Sequence, residues 1–95
     1  MLQNHIDRIE SAVKEVTGYD LEAIKTGGRS TTELLFARIL FAHELGKLKL
    51  YLSEIGKIIN RNHTTINYYR HVYSNEYATN AFFREVADKV RGLLG

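Results

Sequence analysis

Apolar residues recur at steps of three and four near the start of the chain, at Leu2, Ile6, Ile9, Val13 and Val16, with charged residues between them. This period predicts an amphipathic helix over about Leu2–Val16, ended by Thr17-Gly18. Asp20–Lys25 allows at most a short helix, and Thr26-Gly27-Gly28-Arg29 reads as a loop, since paired glycines free the backbone and nothing there asks for burial. Ser30-Thr31-Thr32-Glu33 has the S-x-x-E form of a capping box. A long helix follows it through Leu34, Leu35, Phe36, Ala37, Ile39, Leu40, Phe41 and Leu45, apolar almost all round and therefore expected to be buried against several neighbours, with Gly46 as its stop. Arg38 and His43 are its polar exceptions. Lys47–Tyr51 alternates like a strand but has nothing to pair with, and is expected to be an extended linker.

Leu52, Ile55, Ile58 and Ile59 restore the helical step, Asn60-Arg61-Asn62 breaks it, and a second helix is predicted from His63, with Ile66, Tyr69 and Tyr73 turned inward. Asn62 is its natural N-cap, because the side-chain oxygen can accept from the free N–H of Thr64 or Thr65. Asn60 can adopt the left-handed conformation that the turn needs. Gly56 is unfavourable in a helix by about 1 kcal/mol relative to alanine, which points to close approach of the two helices. Ser74–Thr79 is polar and breaks the pattern. A last helix over about Asn80–Leu94, capped by Thr79 or Asn80, carries Phe82, Phe83, Val86, Val90, Leu93 and Leu94 on its apolar face. The expected fold is all-α, about six helices in a single domain spanning residues 1–95, with a helix-turn-helix at about 52–73.

Composition narrows the function classes. The 95 residues leave no room for an ATPase module beside this domain, and there is no cysteine for a disulfide or a thiol nucleophile. No apolar run approaches the ~20 residues of a membrane span and the start lacks a signal-peptide core, so no membrane partner and a cytoplasmic location are expected. The net charge of +2 is unevenly spread. Residues 1–24 hold two basic against five acidic side chains, a balance of −3, residues 25–73 hold eight against three, a balance of +5, and the rest is neutral. The basic excess coincides with the predicted helix-turn-helix, as a phosphate-facing surface requires. His5 stands alone, His43-Glu44 lacks the second histidine of H-E-x-x-H and reads as a helix-surface histidine, and the glycine pair lacks the G-x-x-x-x-G-K spacing of a phosphate loop. No metal, no cofactor and no enzymatic activity are therefore expected.

A helix that opens with Arg61, His63, Thr64 and Thr65 presents small hydrogen-bonding groups suited to base edges in a major groove. Arg61, His63, Thr64 and Thr65 are the candidate base contacts, with Arg61 at the turn, where its guanidinium can reach guanine or phosphate. Lys25, Lys47, Lys49 and Lys57 are phosphate candidates by charge and proximity. Threonine in a first helical turn is also ordinary capping chemistry.

Ile55-Gly56 followed by Arg61-Asn62-His63-Thr64-Thr65-Ile66 resembles the signature of the C-terminal DNA-binding domain of the bacterial replication initiator DnaA family, I-G, a short spacer, then R-D-H-T-T-V. Asn62 stands where that pattern has aspartate, and the weaker resemblance runs from about Val13 to Leu94. It implies a six-helix, Trp-repressor-like domain that binds double-stranded DNA, base contacts by the histidine and threonines, and a role at replication origins in initiation or its regulation. It also implies an ATPase domain or replication protein as partner in trans, binding to DNA as a monomer, and a basic loop that sends an arginine into the minor groove, here Arg29. The alternative is a small helical adaptor that keeps the fold and binds protein. Tyr68, Tyr69, Tyr73 and Tyr77 motivate it, since tyrosines exposed together suit an interface.

Overall fold

The computed structural model describes residues 1–27 and 31–95, and all regular secondary structure among them is helical: α1 (Leu2–Thr17), α2 (Leu21–Thr26), α3 (Thr32–Gly46), α4 (Leu52–Ile59), α5 (His63–Thr79) and α6 (Ala81–Leu94). Gly18 ends α1 in the left-handed conformation, φ 86°, and its N–H bonds the Lys14 carbonyl at 2.8 Å. Asp20 caps α2 by accepting from the Ala23 N–H, and the Glu10 carboxylate of α1 accepts from the Leu21 N–H, both at 2.9 Å. The start of α2 is thereby tied both to its own cap and to α1.

α3 is the axis of the fold and touches every other helix. Its buried set, Leu34, Phe36, Ala37, Ile39, Leu40, Phe41, Ala42 and Leu45, points in all directions, as an all-round apolar helix must. α1 lays Ile6, Ile9, Ala12 and Val13 against one side of it; Ile55 and Ile59 of α4, Ile66 and Tyr69 of α5, and Phe83, Ala87 and Val90 of α6 complete the core. The radius of gyration is 12.0 Å, against about 12.4 Å for a compact chain of this length.

The structure corrects several local expectations. α3 is capped by Thr31, whose hydroxyl accepts from the Leu34 N–H at 3.1 Å; Ser30 lies outside the described residues. Lys47–Lys49 is a tight turn rather than an extended linker. The N–H groups of Leu48 and Lys49 bond the carbonyls of Leu45 and Gly46 at 3.0 and 3.1 Å, supplying donors that the end of α3 would otherwise lack. Lys49 closes this turn with φ 62°, an uncommon conformation for a residue with a Cβ.

The Ser74–Thr79 stretch does not break the helix. With neither glycine nor proline, α5 runs on to Thr79, and Tyr73 and Tyr77, four residues apart, stack with ring centroids 5.8 Å apart. Asn80 makes the corner, accepting from the Phe83 N–H at 3.1 Å, while Arg84 donates back to the carbonyls of Tyr77 and Ala78. On α6 the buried stripe is Phe83, Ala87 and Val90. Phe82 and Leu93, expected in the core, are 61% and 48% exposed because they flank that stripe, although Phe82 still rests on the Phe36 ring. His43 is half-buried rather than a free surface group. Its ring lies parallel to that of Tyr73, with centroids 3.5 Å apart.

Candidate nucleic-acid interface

α4 and α5 meet at a three-residue turn whose geometry follows from its sequence. Glu54 accepts from the Tyr51 N–H at 2.8 Å and so secures the first turn of α4. Asn60 ends the helix in the left-handed conformation, φ 58° and ψ 51°, and the Arg61 N–H turns back to the Gly56 carbonyl at 2.8 Å. A Cβ on Gly56 would collide with the Arg61 carbonyl oxygen. The close approach inferred for Gly56 is thus to the turn itself, where only glycine leaves room. Asn62 caps α5, its Oδ1 accepting from the Thr65 N–H at 2.9 Å.

The far face of α5 is anchored by Ile66, fully buried, and Tyr69, 5% exposed. His63 and Thr64 stand in solvent on the first turn, while Thr65 is half-buried. An open cleft of about 400 Å³ runs between the two helices, lined by Ser53, Lys57, Asn60, Arg61 and His63 among others. Lys57 is exposed on its α4 side. Lys57, Arg61 and His63 are thereby brought together, whereas the other named cations are not part of this cleft.

Arg61 is half-buried and already engaged. Its guanidinium Nη1 donates to the carbonyls of Asn60 at 2.7 Å and Lys25 at 3.4 Å, and the Asn60 side-chain amide donates to the same Lys25 carbonyl at 3.3 Å. The turn is therefore docked on the C-terminal end of α2, whose carbonyls lack helical partners. Lys25 contributes that backbone oxygen and is itself half-buried. Arg29 lies outside the described residues. Lys47 pairs with Glu44 at 3.1 Å. Together with Lys49, Lys47 lines a different cleft at the end of α3 that shares no lining residue with the first.

Arg38 carries a structural role that its position as a polar exception in α3 only hinted at. It is 2% exposed and donates from Nε to the Ile24 carbonyl at 3.1 Å and from Nη2 to the Gly27 carbonyl at 2.5 Å. Burial, and then the positive charge of Arg61, lowers its pKa. Burial also pushes the His43 imidazole down to about 4, with Lys47, Arg91 and Arg70 adding to the effect. Burial raises the Tyr73 phenol, as does the nearby Glu44 carboxylate. The four tyrosines do not form a shared exposed surface. Tyr69 is buried, Tyr73 is sandwiched between His43 and Tyr77, and Tyr68 alone of the four is largely exposed, at 61%.

Among the described residues no three His, Asp or Glu side chains are grouped as a metal site, and no helix is long and apolar enough to cross a membrane. Compared with known proteins, the chain matches no family model, no curated protein and no solved structure.

Proposed function

We propose that this chain binds double-stranded DNA as a helix-turn-helix domain, entering the major groove with the first turn of α5. The observation that carries the reading is a contrast on one helix. His63 and Thr64 are exposed on a start held by the Asn62 cap, while Ile66 and Tyr69 are buried and seat the helix on the core. Such a helix offers donors and acceptors from a rigid platform, as direct readout of base edges requires. Lys57 beside the cleft and the +5 balance of residues 25–73 supply charge for the phosphate backbone. The resemblance of residues 55–66 to the DnaA signature supports the further proposal that the DNA is a replication origin and that an ATPase or replication protein acts with it in trans.

Selection of bound sequences from a random duplex pool, followed by salt titration of the winner, tests this. If about five phosphates are neutralised, log K falls with log salt at a slope of roughly −4 to −5. A double Thr64→Ala, Thr65→Ala variant is expected to lose discrimination by about 1–3 kcal/mol for each base contact removed, with weak non-specific binding retained. A flat salt response and no enriched sequence would sink the reading.

A further inference from the structure

Arg70 lies seven residues after His63, so on a 3.6-residue helix the two share one stripe of α5, about 10 Å apart along its axis. That stripe leads from the first cleft to the second, a recess of about 380 Å³ where the end of α3 meets α4 and α5. Ala42, Leu50 and Ile55 contribute apolar lining; Lys47, Lys49 and Arg70 are its cations, and His43 completes one wall. These cations are not equivalent. Lys47 is held by Glu44, whereas Lys49 and Arg70 are exposed and, among the described residues, make no ion pair or side-chain hydrogen bond. The left-handed backbone at Lys49 closes the turn and places this second free cation at the recess. His43 adds no positive charge near neutral pH, since its pKa lies near 4.

We propose that Lys49 and Arg70 form a second anion-binding site, which takes phosphodiester groups of the DNA backbone two helical turns from the base-reading end of α5. The inference rests on the DNA-binding reading above. Two free cations at one recess, on the stripe that begins with His63, fit a phosphate track running past the groove edge. Positioned so far from the helix start, the pair contributes affinity and register but no base preference.

The test is a salt titration of wild type and of a Lys49→Gln, Arg70→Gln variant on the selected duplex, with a scrambled duplex beside it. Removing two phosphate contacts should make the salt slope shallower by about 1.8. Raising salt from about 50 to 200 mM should then weaken wild type by roughly tenfold more than the variant. The ratio of affinities for selected and scrambled duplexes should stay unchanged, and Arg70→Lys should restore most of its share of the slope. Neutral methylphosphonate substitutions, scanned along the duplex one at a time, should include positions that weaken wild type but not the variant. If wild type binds with a steep slope and the variant matches it, the second site is wrong and the DNA reading stands. If wild type shows no salt-dependent duplex binding, both fall. Competition by millimolar inorganic phosphate that is lost in the variant, without any change in duplex slope, would mark a site for free phosphate and overturn the assignment to DNA. Both side chains are exposed, so an unchanged melting temperature verifies that the variant is folded.

Discussion

Gly56 sits in the last turns of α4, where an alanine would ordinarily be preferred by about 1 kcal/mol. The Arg61 carbonyl oxygen occupies the space that a Cβ would need, and because that oxygen belongs to backbone it cannot rotate aside. Gly56→Ala is therefore expected to destabilise the fold by about 1–3 kcal/mol, the usual cost of overpacking, despite its better helix propensity. Gly92 is the control. It also lies within a helix, but nothing approaches its missing Cβ, so Gly92→Ala should stabilise by about 0.4–1 kcal/mol. Urea midpoints for the two variants give the comparison, and a Gly56→Ala protein as stable as wild type would show that the turn opens freely. Asn60 and Asn62 do complementary work in the same turn, one by tolerating the left-handed region and the other by capping.

Between elements, the short α2 depends on groups that come from far along the chain. Six residues are too few for a helix to persist alone. Its C-terminal carbonyls and the residue after it accept from Arg38 of α3 and from Asn60 and Arg61 of the α4–α5 turn, so one cluster of donors joins three elements. Arg38→Ala should cost about 3–5 kcal/mol, since hydrogen bonds to a charged donor are worth about 1.5–3 kcal/mol each and one buried and one part-buried carbonyl would be orphaned. Arg38→Met, which restores volume without donors, should recover part of that loss. Chemical denaturation measures both, and hydrogen exchange should show the α2 amides opening first. A loss below about 1 kcal/mol for the alanine variant would mean that water replaces the guanidinium readily.

The titration of His43 is a property of the whole molecule, because Lys47 of the turn after α3, Arg70 of α5 and Arg91 of α6 all bear on it together with its burial. In the unfolded chain an imidazole titrates near 6.5, whereas here it titrates near 4, so between those values the unfolded state binds the additional proton. The contribution to stability is complete above about pH 6.5, shrinks as pH falls through this window, and is gone below about 4. With the ring in partial contact with solvent, the effect amounts to about 2–3 kcal/mol. Urea unfolding between pH 7 and pH 4 should therefore show wild type losing about 2–3 kcal/mol relative to His43→Gln as pH falls, whatever the difference between them at pH 7. Parallel curves would exclude His43 as the origin of the slope. The same region has charge consequences for binding, since a neutral His43 leaves Lys49 and Arg70 as the free cations at the second recess among the described residues.

What could be read along the chain was what neighbours in sequence decide for one another. The 3.6-residue period placed α1, α3 and α4, and the chemistry of Asn60 and Asn62 marked the turn to within a residue, because capping and left-handed backbone are settled by the side chain at that position and the three or four residues beside it. Gly56 was recognised as a close approach, although its contact proved to be the Arg61 carbonyl rather than the facing helix. What only tertiary structure decided depended on partners distant in the chain. The polar Ser74–Thr79 stretch remains helical because Tyr73 and Tyr77 stack on one another and Tyr73 also meets Phe83 of α6. Phe82 and Phe83 have the same apolar character, yet only the register of α6 against the core determines which of them is buried. Arg38 and His43 looked alike as polar residues in an apolar helix. One found backbone carbonyls of α2 and the other the face of Tyr73, and no local pattern records either distance.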